Sequence, residues 1–220
     1  MWPRAHPAAV ARPQFTQIAR EALAGHRSFL AKREVIDEYG WRNYGDFWAD
    51  HETLHYAGPY PIISHYNNQY DGLQGCLLQF LRTGDARWWR LAEALALHVM
   101  DIDIYHCSLD RSAYSGGLFW HTDHYLDAGQ STHRTKSRSM IPKVGGGGPG
   151  CEHNYTSGLL LYYHLTGCVA ALEAVVGLAD WVLAMDDGAQ HVLGLLSQQP
   201  TGQASCTTNP NYHSPGRGAG

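Results

Sequence analysis

The chain carries little charge and no surplus of one sign: Lys and Arg number 16 and Asp and Glu 20, giving −4 at pH 7 with no long run of like charge. A nucleic-acid partner is disfavoured, because neutralising a phosphate backbone takes clustered Lys and Arg. Long apolar runs are also missing. Stretches such as Gly158-Leu159-Leu160-Leu161-Tyr162-Tyr163 fall far short of the roughly 20 residues that span a bilayer, so no membrane helix is expected. The five cysteines, Cys76, Cys107, Cys151, Cys168 and Cys206, are odd in number and form no CxxC pair. That pattern argues against both a disulfide framework and a zinc ribbon. The start, Met1-Trp2-Pro3-Arg4-Ala5-His6-Pro7, has no apolar stretch behind its positive charge and is not a secretory signal as written, which leaves the cytoplasm as the default compartment. Gly145 to Gly148, with Pro149 and Gly150, is no phosphate loop, since no Gly-Lys-Ser/Thr follows it, and reads as a lid or connector.

Apolar residues at 44% in 220 residues are enough for one domain with a substantial core, and too little chain for two independent enzymes. The conspicuous surplus is 14 His, 13 Tyr and 7 Trp. Such side chains suit a polar, ring-lined cleft for a sugar, where aromatic faces stack and imidazoles or phenols move protons.

Residues 1–66 read as an irregular N-terminal segment, with helical spacing only over Phe15 to Ala31. From residue 67 to 220 a mainly α domain of helical hairpins is expected. Leu77, Leu78 and Leu81 lead to Thr83-Gly84-Asp85, after which Trp88, Leu91, Ala92, Leu95, Ala96 and Val99 recur at three and four. Leu160, Leu161 and Leu165 lead in the same way to Thr166-Gly167, followed by Leu172, Val175, Val176, Ala179, Val182 and Leu183. The two stretches match at an offset of 83, with Gly75 on Gly158, Thr83-Gly84 on Thr166-Gly167, Leu95-Ala96 on Leu178-Ala179 and Asp103 on Asp186. Two hairpins with one turn dipeptide and one seam are the mark of a helical repeat. Helices are predicted over 73–81, 86–99, 157–165 and 170–185, with the little strand content confined to the first 66 residues. A third lead-in loop, beginning Asn209-Pro210-Asn211-Tyr212-His213, has no helices after it. The chain is therefore expected to be a piece of a longer protein, truncated at its C-terminus and left with an uncovered apolar edge.

Equivalent loops of tandem hairpins open on one side, so the loops at 65–72, 120–125 and 152–158 are expected to converge. The first is His65-Tyr66-Asn67-Asn68-Gln69-Tyr70-Asp71-Gly72, the third Glu152-His153-Asn154-Tyr155-Thr156-Ser157-Gly158, and between the hairpins stand Trp120-His121-Thr122-Asp123-His124-Tyr125 and Ser131-Thr132-His133-Arg134. His121 and His124, at i and i+3, would share a face if helical, with Asp123 orienting one ring. Against a site, Tyr70 and Tyr155 can serve as packing residues, and Asn67 or Asn154 as turn residues bonding their own backbone.

His-Tyr-Asn-Asn-Gln-Tyr at 65–70 and Trp-His-Thr-Asp-His-Tyr at 120–125, set among hairpins broken at Thr-Gly, resemble the α/α-toroid carbohydrate-active enzymes. These are the six-hairpin glycosidases and the polysaccharide lyases of the alginate, chondroitin and heparinase II/III kind. The likeness covers about residues 62 to 190, and where such lyases often carry Asn-Asn-His this chain has Asn67-Asn68-Gln69. The resemblance implies an incomplete α/α toroid and a polysaccharide or oligosaccharide partner cleaved by β-elimination from a uronate, with no cofactor. In that chemistry Asn67, Asn68, Arg134 or Arg217 would neutralise the carboxylate, His121, His124 or His153 would abstract the C5 proton, and Tyr70 or Tyr155 would protonate the leaving oxygen. His65, Trp120, Glu152 and Asn154 would line the substrate. Three alternatives stand beside it. A zinc hydrolase would draw ligands from His121, Asp123, His124, His133, Glu152 and His153. A glycoside hydrolase would pair carboxylates from Asp46, Asp50, Glu52, Asp123 and Glu152. The third is a non-catalytic helical-repeat sugar-binding module.

Overall fold

The computed structural model describes residues 12–35, 39–40, 43–48, 62–109, 114–119, 122–125, 149 and 153–185. Over these the chain is mainly helical. Helices α1 (Pro13–Leu23) and α2 (Phe29–Val35) precede strand β1 (Ile62–His65), which is followed by α3 (Gly72–Thr83) and α4 (Ala86–His98). A π-helical turn, Val99–Asp103, extends α4, and strand β2 (Thr122–Tyr125), α5 (Ser157–Thr166) and α6 (Val169–Met185) complete the order.

Local chemistry sets the helix limits. The Asp71 side chain accepts from the Gln74 amide and caps α3, and the Asp85 side chain accepts from the Arg87 amide and caps α4. Gly84 and Gly167 each close a helix in the left-handed conformation, at φ 69° and 73°, where a residue with a Cβ is strained. The threonine before each glycine behaves identically in both copies. Thr83 Oγ1 donates to the Gln79 carbonyl at 2.7 Å and accepts from the Asp85 amide, while Thr166 Oγ1 donates to the Tyr162 carbonyl at 2.7 Å and accepts from the Cys168 amide. The Thr-Gly dipeptide is thus a stop signal written twice, and the four helices begin and end within two residues of their expected limits.

One apolar core runs through the described residues. Leu73, Leu77, Leu91, Leu95, Val99, Leu118, Leu159 and Leu178 are fully buried in it. Helix α3 packs on α4 and on α5, and α5 packs on α6. The contact between α3 and α5 is close: a Cβ on Gly158 would overlap the Asp71 carboxylate and lie 2.6 Å from the Gln74 amide nitrogen. Ala19, Leu23 and Phe47 join the same core, so α1 and the 43–48 turn fold onto the helices rather than standing apart.

Two expectations are corrected. Strand is not confined to the first 66 residues, because β1 pairs antiparallel with β2 in the register Ile62↔Tyr125, Ile63↔His124, Ser64↔Asp123 and His65↔Thr122. The backbone of 122–125 is accordingly extended, so His124 stands in a strand and not on a helical face, and His121 lies outside the described residues. Pairing with a partner some sixty residues away overrides local preference there, as is usual for short strands.

Candidate functional site

Three segments meet where α3 and α5 begin. β1 leads directly into the 65–71 loop and carries the β2 backbone beside it. The loop touches the lead-in to α5 at two points: the Gly158 amide donates to Asp71 Oδ2 at 3.1 Å, and the Tyr70 ring lies 6.3 Å from the His153 ring, edge to face. Tyr66 packs against Tyr70 on one side, and Tyr155 lies 6.3 Å from His153 on the other. The result is a row of rings, Tyr66, Tyr70, His153 and Tyr155, along one end of the helices. Tyr70 is 68% exposed and Tyr155 37%, which leaves two phenols facing outward with the half-buried His153 imidazole between them.

The loop that presents Tyr70 is fixed by its neighbours. Asn67 and Asp71 both adopt left-handed backbone, at φ 48° and 52°, a conformation that Asn and Asp tolerate better than other side-chain-bearing residues. The Asn67 amide donates to the Phe119 carbonyl. Asn68 donates to Asp71 Oδ1 at 3.3 Å and accepts from the Leu73 amide at 3.2 Å. Burial is the largest influence on the Asp71 carboxyl and pushes it above the usual range, against the three N–H donors that favour its ionised form.

These facts reassign several sequence candidates. Asn67 and Asn68 are buried, Asn68 completely, with the Asn67 amide committed to Phe119 and the Asn68 amide to Asp71, so neither is placed to neutralise a substrate carboxylate. His65 is buried as well and faces inward, not toward substrate. The Asn154 amide donates to the Leu178 carbonyl at 3.1 Å and ties its loop to α6. Tyr70, His153 and Tyr155 come together. Asp123 and His124 are placed through their backbone alone, in β2, whereas Trp120, His121, Arg134 and Glu152 lie outside the described residues.

A second constellation lies underneath, in the core. Gly45, at φ 103°, approaches α4 so closely that a Cβ would lie 2.6 Å from the Ala94 carbonyl carbon, and this approach brings Asp46 to the last turn of α4. His98 Nε2 stands 3.4 Å from Asp46 Oδ2 and 3.1 Å from Asp103 Oδ1. The Phe47 amide holds the other Asp46 oxygen at 2.6 Å, and the bridge between Trp48 and His65 sets His65 alongside. Burial alone would lower the His98 imidazole, but the Asp103 and Asp46 carboxylates outweigh it and hold the ring well above its ordinary value. Burial pushes Asp103 up to about 6. It acts on Asp46 in the same direction, yet there the His98 hydrogen bond and charge win and the carboxyl is lowered. Asp46 is therefore unavailable as the exposed acid or base of a glycosidase.

Sequence reasoning passed over His98, although a signal was present: it follows Leu91 and Leu95 on one stripe of α4, where an apolar residue belongs. The π-helical turn after it then brings Asp103 to the same imidazole, and such turns concentrate at functional positions. Comparison with protein-family models, with curated proteins and with solved structures finds no match to this chain.

Proposed function

We propose that the chain is the helical part of an α/α-toroid carbohydrate-active enzyme, a polysaccharide lyase that cleaves a uronate-containing glycan by β-elimination at the end bearing Tyr70, His153 and Tyr155. The observation that carries this reading is the row of rings, with Tyr70 and Tyr155 exposed, where the lead-in loops of α3 and α5 meet. Aromatic faces of this kind stack on sugar rings, and an imidazole between two phenols supplies the base and acid that elimination needs. His153 abstracts the C5 proton, and Tyr70 or Tyr155 gives a proton to the leaving oxygen. His121 and His124 remain candidates for the base, and Arg134 for holding the uronate carboxylate, now that Asn67 and Asn68 are committed to the fold. The toroid reading has its own support in Leu160, Val169, Val176 and Leu183, which α5 and α6 leave exposed as a further hairpin would require.

The test is turnover of a panel of uronic and neutral polysaccharides by the longest natural form of the protein, followed by the ultraviolet absorbance of the conjugated uronide that only elimination produces. His153→Ala and Tyr70→Phe are expected to lower kcat by about 10² to 10⁴-fold, the usual contribution of general acid–base groups, with helicity unchanged. Hydrolysis of neutral glycans without new absorbance would identify a glycosidase instead. Binding without turnover would identify a sugar-binding module. Full activity in a His153→Ala, Tyr70→Phe double variant would remove this end of the helices from the chemistry.

A further inference from the structure

We propose that Asp46, His98 and Asp103 form a buried binding site for one divalent transition-metal ion of the zinc class. One ligand atom from each of Asp46, His98 and Asp103 lies within 4.8 Å of the others. The two separations from His98 Nε2, 3.4 and 3.1 Å, fit ligands sharing an ion: bonds of about 2.0 to 2.1 Å in a tetrahedron put neighbouring donors about 3.3 to 3.4 Å apart. His98 Nε2 carries at most one hydrogen, which cannot bond fully to two carboxylates at once. A divalent cation balances both carboxylates with His98 neutral.

Unfilled donor capacity points the same way. Asp103 Oδ2 has no hydrogen-bond partner among the described residues, in a side chain only 3% exposed. His65, 1% exposed, stands near both carboxylates but outside the three-residue group. Imidazoles mixed with carboxylates suit zinc, whereas calcium takes six to eight oxygens. Burial of the three ligands keeps the ion away from solvent. It would join the 43–48 turn to the end of α4 and the π-helical turn that follows it.

The full 220-residue chain, stripped with chelator and dialysed against zinc, is expected to retain about one ion per chain by elemental analysis and to melt higher than the stripped form. Cobalt in place of zinc is expected to give the intense visible bands of a tetrahedral nitrogen–oxygen site. His98→Gln and Asp103→Asn are expected to abolish retention and bands together. Should either variant fail to fold, the stripped and reloaded natural chain still decides the matter through its melting shift and cobalt spectrum. Retention below a tenth of an ion per chain, with the same melting temperature in zinc and in chelator, overturns the proposal and leaves an ion cluster held by protons alone. Full retention in a folded His98→Gln, Asp103→Asn double variant overturns it too, because the ion then sits elsewhere.

Discussion

Gly75 and Gly158 occupy the same position in the two helix pairs, and their replacement by alanine should move stability in opposite directions. Around Gly75 a Cβ meets no heavy atom within 4 Å. The substitution there removes glycine's extra freedom from a helix interior, a gain of about 0.5 to 1 kcal/mol. Around Gly158 the same Cβ overlaps Asp71 Oδ1 and lies 2.6 Å from the Gln74 nitrogen and 2.9 Å from Leu73 Cβ. Backbone cannot give way as a side chain can, so α5 must back off from α3. Overpacking of this kind typically costs about 1 to 3 kcal/mol. Withdrawal also strands the Gly158 amide, now bonded to Asp71 at 3.1 Å, and an unmet buried donor adds about 1 to 3 kcal/mol. A loss near 3 kcal/mol corresponds to about 6–12 °C in a chain of this size, against a rise of about 1–4 °C for Gly75→Ala. Scanning calorimetry with urea titrations of the natural chain and both variants measures this directly. Gly177→Ala serves as a control, since its Cβ also meets nothing. If Gly158→Ala proves neutral or stabilising, the first turn of α5 does not sit on α3 and the juxtaposition of Tyr70 with His153 loses its footing.

Asp71→Ala, which removes the α3 cap and the acceptor for Gly158, should cost about 2 to 4 kcal/mol in urea titrations, whereas Asp71→Asn keeps an acceptor and should stay within about 1 kcal/mol. Because the Asp71 carboxyl is raised in the fold, the natural chain should gain stability relative to Asp71→Asn as pH falls through that raised value toward 3.8, and a constant difference across that window would refute the assignment. Thiol reagents at mild alkaline pH should label exposed Cys107 and leave Cys76 untouched until the chain unfolds, since burial pushes the Cys76 thiol up to about 12. Leu77→Ala should cost about 2 to 5 kcal/mol as a core truncation. Its repeat partner Leu160, 38% exposed, should cost less than about 1 kcal/mol by thermal melting.

Helices were legible in the sequence because their signals are local. The three- and four-residue spacing of Leu91, Ala92, Leu95 and Ala96, and the glycines that close α3 and α5, act within one or two turns of themselves. β2 was not legible, because four residues of Thr122–Tyr125 are extended only by pairing with β1, and nothing in their own order specifies a strand. The contact between the 65–71 loop and the lead-in to α5 was expected from the match of the two stretches at an offset of 83. The division of labour within that loop was not, since polarity alone does not separate an Asn that meets substrate from one that satisfies a buried backbone. His98 was missed by the opposite bias: a histidine on an apolar stripe counted as helix, although burial among carboxylates is where an imidazole changes character most.

Five consecutive residues, Asn67-Asn68-Gln69-Tyr70-Asp71, show how the fold and the proposed site depend on each other. Asn67, Asn68 and Asp71 are buried and spend their polar atoms on Phe119, Leu73, Gln74 and Gly158. Only Tyr70 is left outside, with the Gln69 amide donating to its hydroxyl at 3.2 Å. A ligand-facing ring held by committed neighbours is oriented before anything binds, which is what an acid or a stacking platform requires. It follows that lost activity in an Asn68→Ala variant is not evidence of substrate contact. Removing that side chain unseats the Leu73 amide and the Asp71 carboxylate first, so kcat should fall in step with melting temperature. Tyr70→Phe keeps the bonds of Asn67, Asn68 and Asp71 and gives up only the one from Gln69. A variant that loses turnover while melting like the natural chain therefore identifies a residue of the site, and one that loses both identifies its scaffold.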